Sequence, residues 1–519
     1  MKTRNIMLLV LPALAAAIFC GILVADDNAP PAAPDSNAQP ADAAKPAELP
    51  PVKVTWKSTE LGISNKPPLW WQPTIVVSPD GRHYASIDRQ TETSYTVIID
   101  GKAGREFAKV TPVIFSPDSK RIAYVGTTKD GQTMLVVQGH GKTETTVNGE
   151  VDMLTFSPDS KNLAYVLTNE EGAHVVINGK TLPSRKPLTK IEHLTFSPGT
   201  NILIYVYYQN DKDLPCGVKC LFDMPSNGIP VIMSADGKRL VNVYREEGMF
   251  TLQDVKVGKN PDGSFSIDAG SSERECDSVH SVVISPDDNR LAYAATDGGK
   301  SLAVLDGVDG KAYDDIAKGS LAFSPDSKHF AYLAKSGDDW FIVIDGVEGK
   351  KYPKASPQGA VIYSPDSQHT AFAFHNMLIV DGVDYKLRYR PEPDTIVFSP
   401  DSKRTACLTI SGIYKRDGVT DSMVAIDGVE GKEYLDFTWM EKSSEIFRPV
   451  FSPDSKHVAY CANKRGDNAR DVSLAVIDTT EVETGILPRC APIFDSPTKF
   501  HYIGTRDGKV FLVEVEITN

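Results

Sequence analysis

"FSPDSKHFAY", residues 323–332, is the stretch that decides the fold of this chain. Nearly the same ten letters stand at 115–124, 156–165 and 451–460. Weaker copies occupy 77–86, 284–293, 363–372 and 398–407, and degenerate copies occupy 196–205, 233–242 and 495–504. Most repeat serines are 35 to 44 residues apart, but the gaps after Ser234 and Ser399 are 51 and 53 residues. Such a period indicates one small structural unit used many times.

One unit, residues 321–352, predicts four short strands. Leu321–Phe323 is apolar, and the Ser-Pro-Asp-Ser that follows is a turn, because proline pre-sets the second turn position and serine and aspartate cap backbone groups. Two further apolar runs, His329–Ala334 and Trp340–Ile344, are separated by a polar loop. Asp345-Gly346 then begins a tight turn into the fourth stretch. Four strands joined in this way form an antiparallel meander.

Alanine stands seven residues after the serine in every copy that keeps Ser-Pro-Asp: 85, 123, 164, 292, 331, 371, 406 and 459. Its neighbours are mostly larger and apolar, and neighbours in a strand point to opposite faces. Both faces of the sheet are therefore buried, one of them against a neighbour that accepts only a methyl group. Small sheets buried on both sides predict an all-β fold of four-stranded antiparallel blades, a β-propeller.

The repeat "FSPDSKxxAY" resembles the TolB-type, WD40-like propeller repeat of bacterial periplasmic proteins and of the propeller domains of prolyl peptidases. The resemblance covers most of residues 70–519 and implies a propeller. The Trp-Asp dipeptide of true WD40 repeats is absent. No GxSxG motif and no C-terminal α/β-hydrolase stretch follows the repeats, so the peptidase half of that resemblance is missing.

Eleven copies exceed the four to eight blades usual in one ring. We therefore predict two rings in tandem, residues 53–275 and 276–519. "DGV" turns support this division because they occur only in the second half, at 306–308, 345–347, 381–383 and 427–429. The alternative is one oversized ring. The last copy leaves room for only three strands, and residues 52–58 could supply the fourth.

The N-terminus predicts export. Lys2 and Arg4 precede the apolar run 6–25, so residues 1–25 form an export signal or an N-terminal membrane anchor, and a lipoprotein signal acylated at Cys20 is a third option. Residues 26–52 are rich in proline and alanine and predict a disordered linker. These features place the chain in the periplasm or cell envelope, secreted or anchored, with membrane contact only through the N-terminal segment.

An oxidising compartment permits disulfides. Cys216 and Cys220 are close enough to meet in a loop, and Cys276 lies nearby in sequence. We predict a disulfide among these three, with unpaired thiols as the alternative.

Few motifs of the sequence indicate catalysis, metal binding or cofactor binding. A net charge of −13 argues against nucleic acid as the partner. Five of the ten histidines share one repeat position with Arg121, Arg290 and Arg404, which favours a surface position at a strand start over a set of metal ligands. No phosphate-binding or dinucleotide motif is present. We predict no catalytic residue, no metal and no cofactor.

Meander connectivity gathers the variable loops on the face opposite the Ser-Pro-Asp turns, where recognition usually lies. The interface-prone side chains in those loops are Arg388, Tyr389, Arg390, Tyr414, Arg416 and Trp439. The sequence therefore predicts a non-enzymatic binding or scaffold protein that recognises a protein, a peptide or a cell-envelope polymer. The first alternative is a periplasmic hydrolase or lyase with its site in the propeller's central channel, and the second is a structural spacer.

Overall fold

The structure is a computed structural model that describes fourteen stretches of the chain, all within one compact unit, Lys45–Asn519. The stretches are 51–63, 75–91, 93–139, 141–182, 190–196, 203–208, 229–234, 239–246, 249–259, 265–355, 357–411, 420–436, 448–465 and 471–518. Among these residues no helix is long and apolar enough to cross a bilayer. They form parts of eleven antiparallel blades, one for each repeat, numbered here in chain order.

The strands of the blades are as follows. Blades 1 to 3 consist of β2 (Ile75–Val77), β3 (Tyr84–Thr91), β4 (Ser94–Ile99) and β5 (Lys102–Phe107); β6 (Lys109–Val110), β7 (Ile114–Phe115), β8 (Ile122–Thr127), β9 (Thr133–Gly139) and β10 (Gly141–Val147); and β11 (Glu150–Phe156), β12 (Leu163–Asn169), β13 (Gly172–Ile177) and β14 (Lys180–Thr181). Blades 4 to 6 consist of β15 (Lys190–Phe196) and β16 (Leu203–Tyr208); β17 (Ile229–Met233), β18 (Arg239–Glu246), β19 (Met249–Lys259) and β20 (Phe265–Glu275); and β21 (Ser278–Ile284), β22 (Leu291–Asp297), β23 (Lys300–Leu305) and β24 (Val308–Tyr313).

Blades 7 to 9 consist of β25 (Asp315–Ile316), β26 (Ala322–Phe323), β27 (Phe330–Ser336), β28 (Asp339–Ile344), β29 (Val347–Glu348) and β30 (Tyr352–Pro353); β31 (Pro357–Tyr363), β32 (Thr370–Phe374), β33 (Met377–Val380) and β34 (Val383–Lys386); and β35 (Arg390–Pro391), a 3₁₀ turn (Pro393–Thr395), β36 (Val397–Phe398), β37 (Thr405–Ile410), β38 (Thr420–Ile426) and β39 (Val429–Glu430). Blades 10 and 11 consist of β40 (Tyr434–Asp436), β41 (Val450–Phe451), β42 (Val458–Arg465), β43 (Asp471–Ile477) and β44 (Thr480–Glu483); and β45 (Leu487–Pro488), β46 (Ile493–Ser496), β47 (Lys499–Arg506), β48 (Lys509–Thr518) and β1 (Lys53–Ile63).

The meander predicted for residues 321–352 is confirmed. β26, β27, β28 and β29 pair in sequence order with antiparallel register. The Asp345-Gly346 turn between the third and fourth strands has φ values of +49° and +81°. Two successive positive φ values characterise the type I′ hairpin turn, which explains why the repeat places aspartate and glycine there.

The repeat alanine is buried as predicted. Ala331 is 0% exposed, and so are its seven equivalents in the other blades. Ala331 packs with Val361 and Phe372 of blade 8, whereas its strand neighbours Phe330 and Tyr332 pack against blade 6. Each second strand therefore lies between two neighbouring blades, as the all-β propeller requires.

The Ser-Pro-Asp turn links each blade to the next. In blade 7 the Ser324 hydroxyl donates to an Asp326 carboxylate oxygen at 2.6 Å and accepts the backbone N–H of His329 at 2.9 Å. The backbone N–H of Asp326 donates to the Ser367 hydroxyl of blade 8 at 3.0 Å. The second serine of the motif therefore accepts a backbone hydrogen bond from the preceding blade. Five more junctions between described residues have this bond at 2.9 to 3.0 Å.

The two ends of the chain meet in blade 11. β1 pairs with β48 from Lys53↔Thr518 to Ile63↔Lys509, so the N-terminal strand completes the last blade. The last blade also contacts the first, because His501 Nε2 lies 2.9 Å from the Asp80 carbonyl oxygen. The division into two rings near residue 276 stays a prediction.

The turn aspartates make the stability of the fold depend on pH in the acid range. Hydrogen bonds from Ser285 and then Asn289 lower the pKa of Asp287 to about 2, and serine hydroxyls likewise lower the pKa of Asp118, Asp159 and Asp401. Because the unfolded-state pKa of aspartate is about 3.9, these groups stabilise the fold above about pH 4, and the stabilisation is lost as the pH falls towards 2.

We expect the thermal midpoint of unfolding to fall steeply between about pH 4 and pH 2. Ser285→Ala should reduce the fall, and a flat profile from pH 5 to 2 would contradict this assignment.

Candidate functional site

The connections between strands divide the blades into two ends. One end, the turn face, carries the Ser-Pro-Asp turns and the Asp-Gly turns, which contact each other in blades 1 and 6 to 10. The other end, the loop face, carries the second turns and the blade-to-blade crossings. In the described part of the chain, the first turns of blades 1 to 3 and 6 to 10 each have six residues, whereas the second turns range from two residues at Gly298-Gly299 to the five residues 128–132. In the sequence, nine positions, 411–419, separate β37 from β38.

The polar groups of the turn face serve the fold. In blade 7, Asp345 accepts the backbone N–H of Phe330 at 2.9 Å, and its second carboxylate oxygen lies 2.7 Å from His329 Nδ1. Arg404 replaces the histidine in blade 9, where its Nε donates to Asp427 at 2.9 Å. The equivalent histidine–aspartate pairs are His83–Asp100, His369–Asp381 and His457–Asp478. Within the described residues no cluster of three or more His, Cys, Asp or Glu side chains is placed to hold a metal ion.

His501 departs from the surface position expected for this histidine slot. It is only 1% exposed, with Nδ1 2.8 Å from Asp495 in its own blade and Nε2 against the first blade. The reason is that blade 11 has no Asp-Gly turn before its fourth strand, since that strand comes from the N-terminus. This histidine therefore joins the two ends of the chain.

Three of the predicted site residues lie on the crossing from blade 8 to blade 9. The Glu430 carboxylate accepts the backbone N–H of Arg388 at 2.8 and 2.9 Å and that of Tyr389 at 3.3 Å. The Arg388 guanidinium pairs with Glu433 at 2.9 Å and lies 5.1 Å from the centre of the Tyr389 ring. The Glu430 carboxylate of blade 9 therefore fixes the backbone of the crossing.

The two arginines of this crossing point outward. The Arg388 side chain is 62% exposed and the Arg390 side chain is 53% exposed, and Arg390 pairs with Glu392 at 2.7 Å. Exposed ion pairs of this kind contribute only about 0–1 kcal/mol. Both guanidinium groups are therefore available to exchange an internal carboxylate for one on a partner.

Tyr414, Arg416 and Trp439 lie outside the described residues, but the strands that flank them are described. Arg390 is the register partner of Ile410, where β37 ends before residues 411–419. Thr420, where β38 begins, is the partner of Asp436, where β40 ends before residues 437–449. All these strands belong to one ten-stranded sheet that spans blades 9 and 10. The three predicted segments therefore depart from neighbouring strand ends.

The insertion point of residues 437–449 differs from the expected blade-to-blade crossing. β40 pairs with β38 of blade 9 through three register pairs and with β42 of blade 10 through one, Leu435↔Asn463, and β41 pairs with β42 as well, so the chain passes from blade 9 into the first strand of blade 10 within β40. The first strand is interrupted in other blades too, by residues 317–321 in blade 7 and 392–396 in blade 9. Residues 437–449 are thus an enlarged interruption of a first strand, and first strands line the channel of a propeller.

A second polar group lies on the first strands of blades 6 and 7. His280 Nδ1 lies 2.9 Å from the Ser281 hydroxyl, which accepts the backbone N–H of Gly319 at 2.7 Å. Burial, and then repulsion from Lys318, lower the pKa of His280, while Asp315 acts in the opposite direction. Ser281 has a φ of +54° at the bulge between His280 and Val283. The sequence pattern gave no sign of this pair, because neither residue belongs to the repeat motif.

The predicted disulfide falls partly outside the described residues, which do not include Cys216 and Cys220. Cys276 is 5% exposed, and its sulfur lies 3.6 Å from the Ser278 carbonyl oxygen. The disulfide stays a prediction.

No family model matches the sequence, and no curated protein matches it. Solved structures with a similar fold include the Dos1 propeller, at 9% identity over 78% of this chain and 92% of that chain, with a TM-score of 0.28. TolB from Acinetobacter baumannii is 14% identical over 54% of this chain and 63% of that chain, with a TM-score of 0.19. The dihydro-heme d1 dehydrogenase NirN is 12% identical over 75% of this chain and 80% of that chain, with a TM-score of 0.28. By the architecture of its own blades, which carry the repeat that resembles the TolB-type, WD40-like motif, the chain is a β-propeller protein.

Proposed function

We propose that the chain is an exported or membrane-anchored, non-enzymatic binding protein that recognises a protein, a peptide or a cell-envelope polymer through the loop face of blades 9 and 10. One observation carries the proposal. The segments that contain the interface-prone side chains depart from neighbouring strand ends of a single continuous sheet. Variable segments on a rigid scaffold are where recognition sites usually form.

Charge supports a partner with acidic groups. The segments 385–394, 411–422, 437–449 and 463–471 together carry ten lysines and arginines against eight aspartates and glutamates, whereas the whole chain has a net charge of −13. Arginine forks bind carboxylates in two parallel hydrogen bonds, and Arg388 and Arg390 already hold internal carboxylates at 2.9 and 2.7 Å. A carboxylate on a partner would make the same contacts.

The test replaces Arg388 and Arg390 by alanine and measures capture of partners from a cell-envelope fraction, followed by the affinity for the captured partner. We expect at least a tenfold loss of affinity, because a hydrogen bond to a charged group contributes about 1.5–3 kcal/mol. The matched control, Lys328→Ala with Lys403→Ala, removes the same charge from exposed positions of the turn face. Equal capture by both double variants would show that the loop face of these blades is not the site.

The alternative, a hydrolase or lyase with a site in the channel, is favoured by the His280–Ser281 pair. A neutral imidazole that accepts a serine hydroxyl proton is the arrangement of a general base beside a nucleophile. The same preparations decide between the two proposals. Hydrolytic turnover that is lost in His280→Ala and kept in the Arg388/Arg390 variant would favour the enzyme.

A further inference from the structure

Arg489 occupies a position in blade 11 that other blades fill with different residues. It begins the interruption of the first strand between β45 and β46, and its backbone N–H donates to the Ile503 carbonyl oxygen of β47 at 2.8 Å. The same bond, at 2.8 to 3.0 Å, begins the interruptions of blades 2, 7 and 9, where the donors are Thr111, Ala317 and Glu392. The fold therefore accepts a hydroxyl, a methyl group or a carboxylate at this position and does not require an arginine.

The Arg489 side chain lacks acceptors for most of its hydrogen-bond donors. It is partly buried, and its Nε donates to the Thr505 hydroxyl of β47 at 3.1 Å. Within the described stretches of the chain, the two terminal guanidinium nitrogens have no acceptor, and the hydroxyl hydrogen of Thr505 has none. Neither terminal nitrogen is sealed from solvent. These donors are therefore accessible to a ligand.

No carboxylate compensates for the charge of this guanidinium. Arg239, Arg274 and Arg404 are also largely enclosed, and each pairs with an aspartate at 2.7 to 2.9 Å. Arg489 forms no ion pair with any carboxylate that the structure describes, and burial lowers its pKa because the lost solvation is not replaced. A bound anion would supply the negative charge that the fold does not provide here.

The neighbouring blade brings another hydroxyl to this region. Ile503 of β47 packs with Tyr84 of β3, so these strands meet where blade 11 contacts blade 1. Because residues two apart in a strand share a face, Thr505 and Ser86 lie on the sides that meet there. Ser86 is 3% exposed, and its hydroxyl has no partner among the described groups. Asp88, the next residue on that side of β3, forms no ion pair with the guanidinium.

We propose that Arg489 and Thr505 bind an oxyanion, a carboxylate or a phosphate group, beside the contact between blades 11 and 1. A guanidinium presents two parallel N–H donors to such a group, and this geometry matches its two oxygens. Thr505 has two roles, since its oxygen holds Nε and its hydroxyl hydrogen is a further donor. Thr505 is followed closely by the second turn of the blade at Asp507-Gly508, so the site lies towards the loop face.

The site is expected to bind a small anion weakly. Two charge-assisted hydrogen bonds from one guanidinium correspond to a dissociation constant of about 1 mM. The site is separate from the proposed recognition surface, because Arg388 and Arg390 lie on the crossing from blade 8 to blade 9. Arg388→Ala with Arg390→Ala should therefore leave anion binding unchanged, whatever its effect on partner capture.

The test is the rate at which phenylglyoxal modifies individual arginines of the full chain, followed for each peptide by mass spectrometry. The probes are inorganic phosphate and succinate, with sodium chloride added to hold the ionic strength constant. At about ten times the dissociation constant, we expect a bound probe to slow the modification of Arg489 about tenfold. Arg506 is the internal control, because it is exposed on the same strand and has no ion pair among the described residues. Its rate should not change.

Variants provide a second measurement. Each bound probe should raise the thermal midpoint of the wild-type chain, and Arg489→Gln should remove this rise. Arg506→Gln removes the same charge from the surface and should keep the rise. Thr505→Val should weaken binding severalfold, because it removes one donor and the group that holds Nε.

The two probes identify the source of the oxyanion. Protection by phosphate alone supports a phosphate group, protection by succinate alone supports a carboxylate, and protection by both supports the shared chemistry. The proposal is overturned if neither probe protects Arg489, if Arg506 is protected equally, or if Arg489→Gln keeps the rise in thermal midpoint. Protection is measured on the wild-type chain, so it decides the question even if Arg489→Gln does not fold.

Discussion

Deletion of residues 53–63 is expected to open the last blade and to remove most of the stability of the chain. The deletion removes β1 and its ladder with β48, which runs over ten register pairs. At about 0.5–1.5 kcal/mol net for each backbone hydrogen bond, and about one such bond per register pair, the loss is on the order of 5–15 kcal/mol. This is comparable with the whole unfolding free energy of an ordinary domain, about 5–15 kcal/mol.

The second effect of this deletion is exposure of β48. Val513 and Val515 are 0% and 1% exposed, and they belong to the large core cluster of blades 9 to 11. Without β1 the strand becomes a long apolar edge, and such edges promote aggregation. We therefore expect the shortened chain to melt at a much lower temperature and to associate non-specifically.

The control for this deletion is a chain that begins at residue 51, which keeps β1 whole and should melt like the full chain. A cysteine pair at the register partners Thr55 and Glu516 gives a second measurement. A disulfide between these cysteines should form readily and raise the thermal midpoint. Equal midpoints for the chains that start at residues 51 and 64 would contradict the role of β1.

The fold was predictable because its decisive signals are local and repeated. The Ser-Pro-Asp turn, the Asp-Gly turn and the buried alanine each recur at a fixed offset, so every copy adds evidence for the same strand order. The pairing of residues 52–58 with the last blade was also within reach, because counting strands leaves that blade one short. The number of rings was not predictable in this way, because it depends on how many blades close around one axis, and no local motif encodes that number.

The links between blades were not predictable in the same way. The second serine of the motif looks like a turn residue, but in blade 8 Ser367 accepts a hydrogen bond from Asp326 of blade 7. The histidine or arginine slot looks like a solvated strand start, but it pairs with the turn aspartate 12 to 23 residues later, as His329 does with Asp345. These partners can be identified only in the folded blades, where the third strand runs back and ends beside the first turn.

Blade 5 shows how an insertion can escape a reading of the sequence. Asp254 pairs with Val241 as Ile344, the residue before the turn, pairs with Ala331, yet β19 continues from there to Lys259 instead of turning. The gap of 51 residues recorded that something was inserted but did not say where. At the candidate site the sequence similarly indicated Arg388, Tyr389 and Arg390 by residue type, while the Glu430 carboxylate that fixes their backbone comes from the next blade.

Ala331→Leu is expected to force two blades apart. Ala331 is 0% exposed and packs with Val361 and Phe372 of blade 8, while the opposite side of the same strand is filled by Phe330 and Tyr332. Three additional carbon atoms have no void to occupy, and overpacking of this kind costs about 1–3 kcal/mol and occasionally more. We expect a lower denaturant midpoint for unfolding.

The location of this strain can be measured separately from its size. The Asp326 N–H to Ser367 hydroxyl bond, 3.0 Å long, joins the same two blades, so a wedge at Ala331 should lengthen it and speed hydrogen exchange at the Asp326 amide. Ala312→Leu makes the same substitution at an exposed position of β24 and should change neither quantity. If Ala331→Leu unfolds at the wild-type midpoint, the space between blades is larger than a methyl group, and the repeat alanine would need an explanation other than close packing of neighbouring sheets.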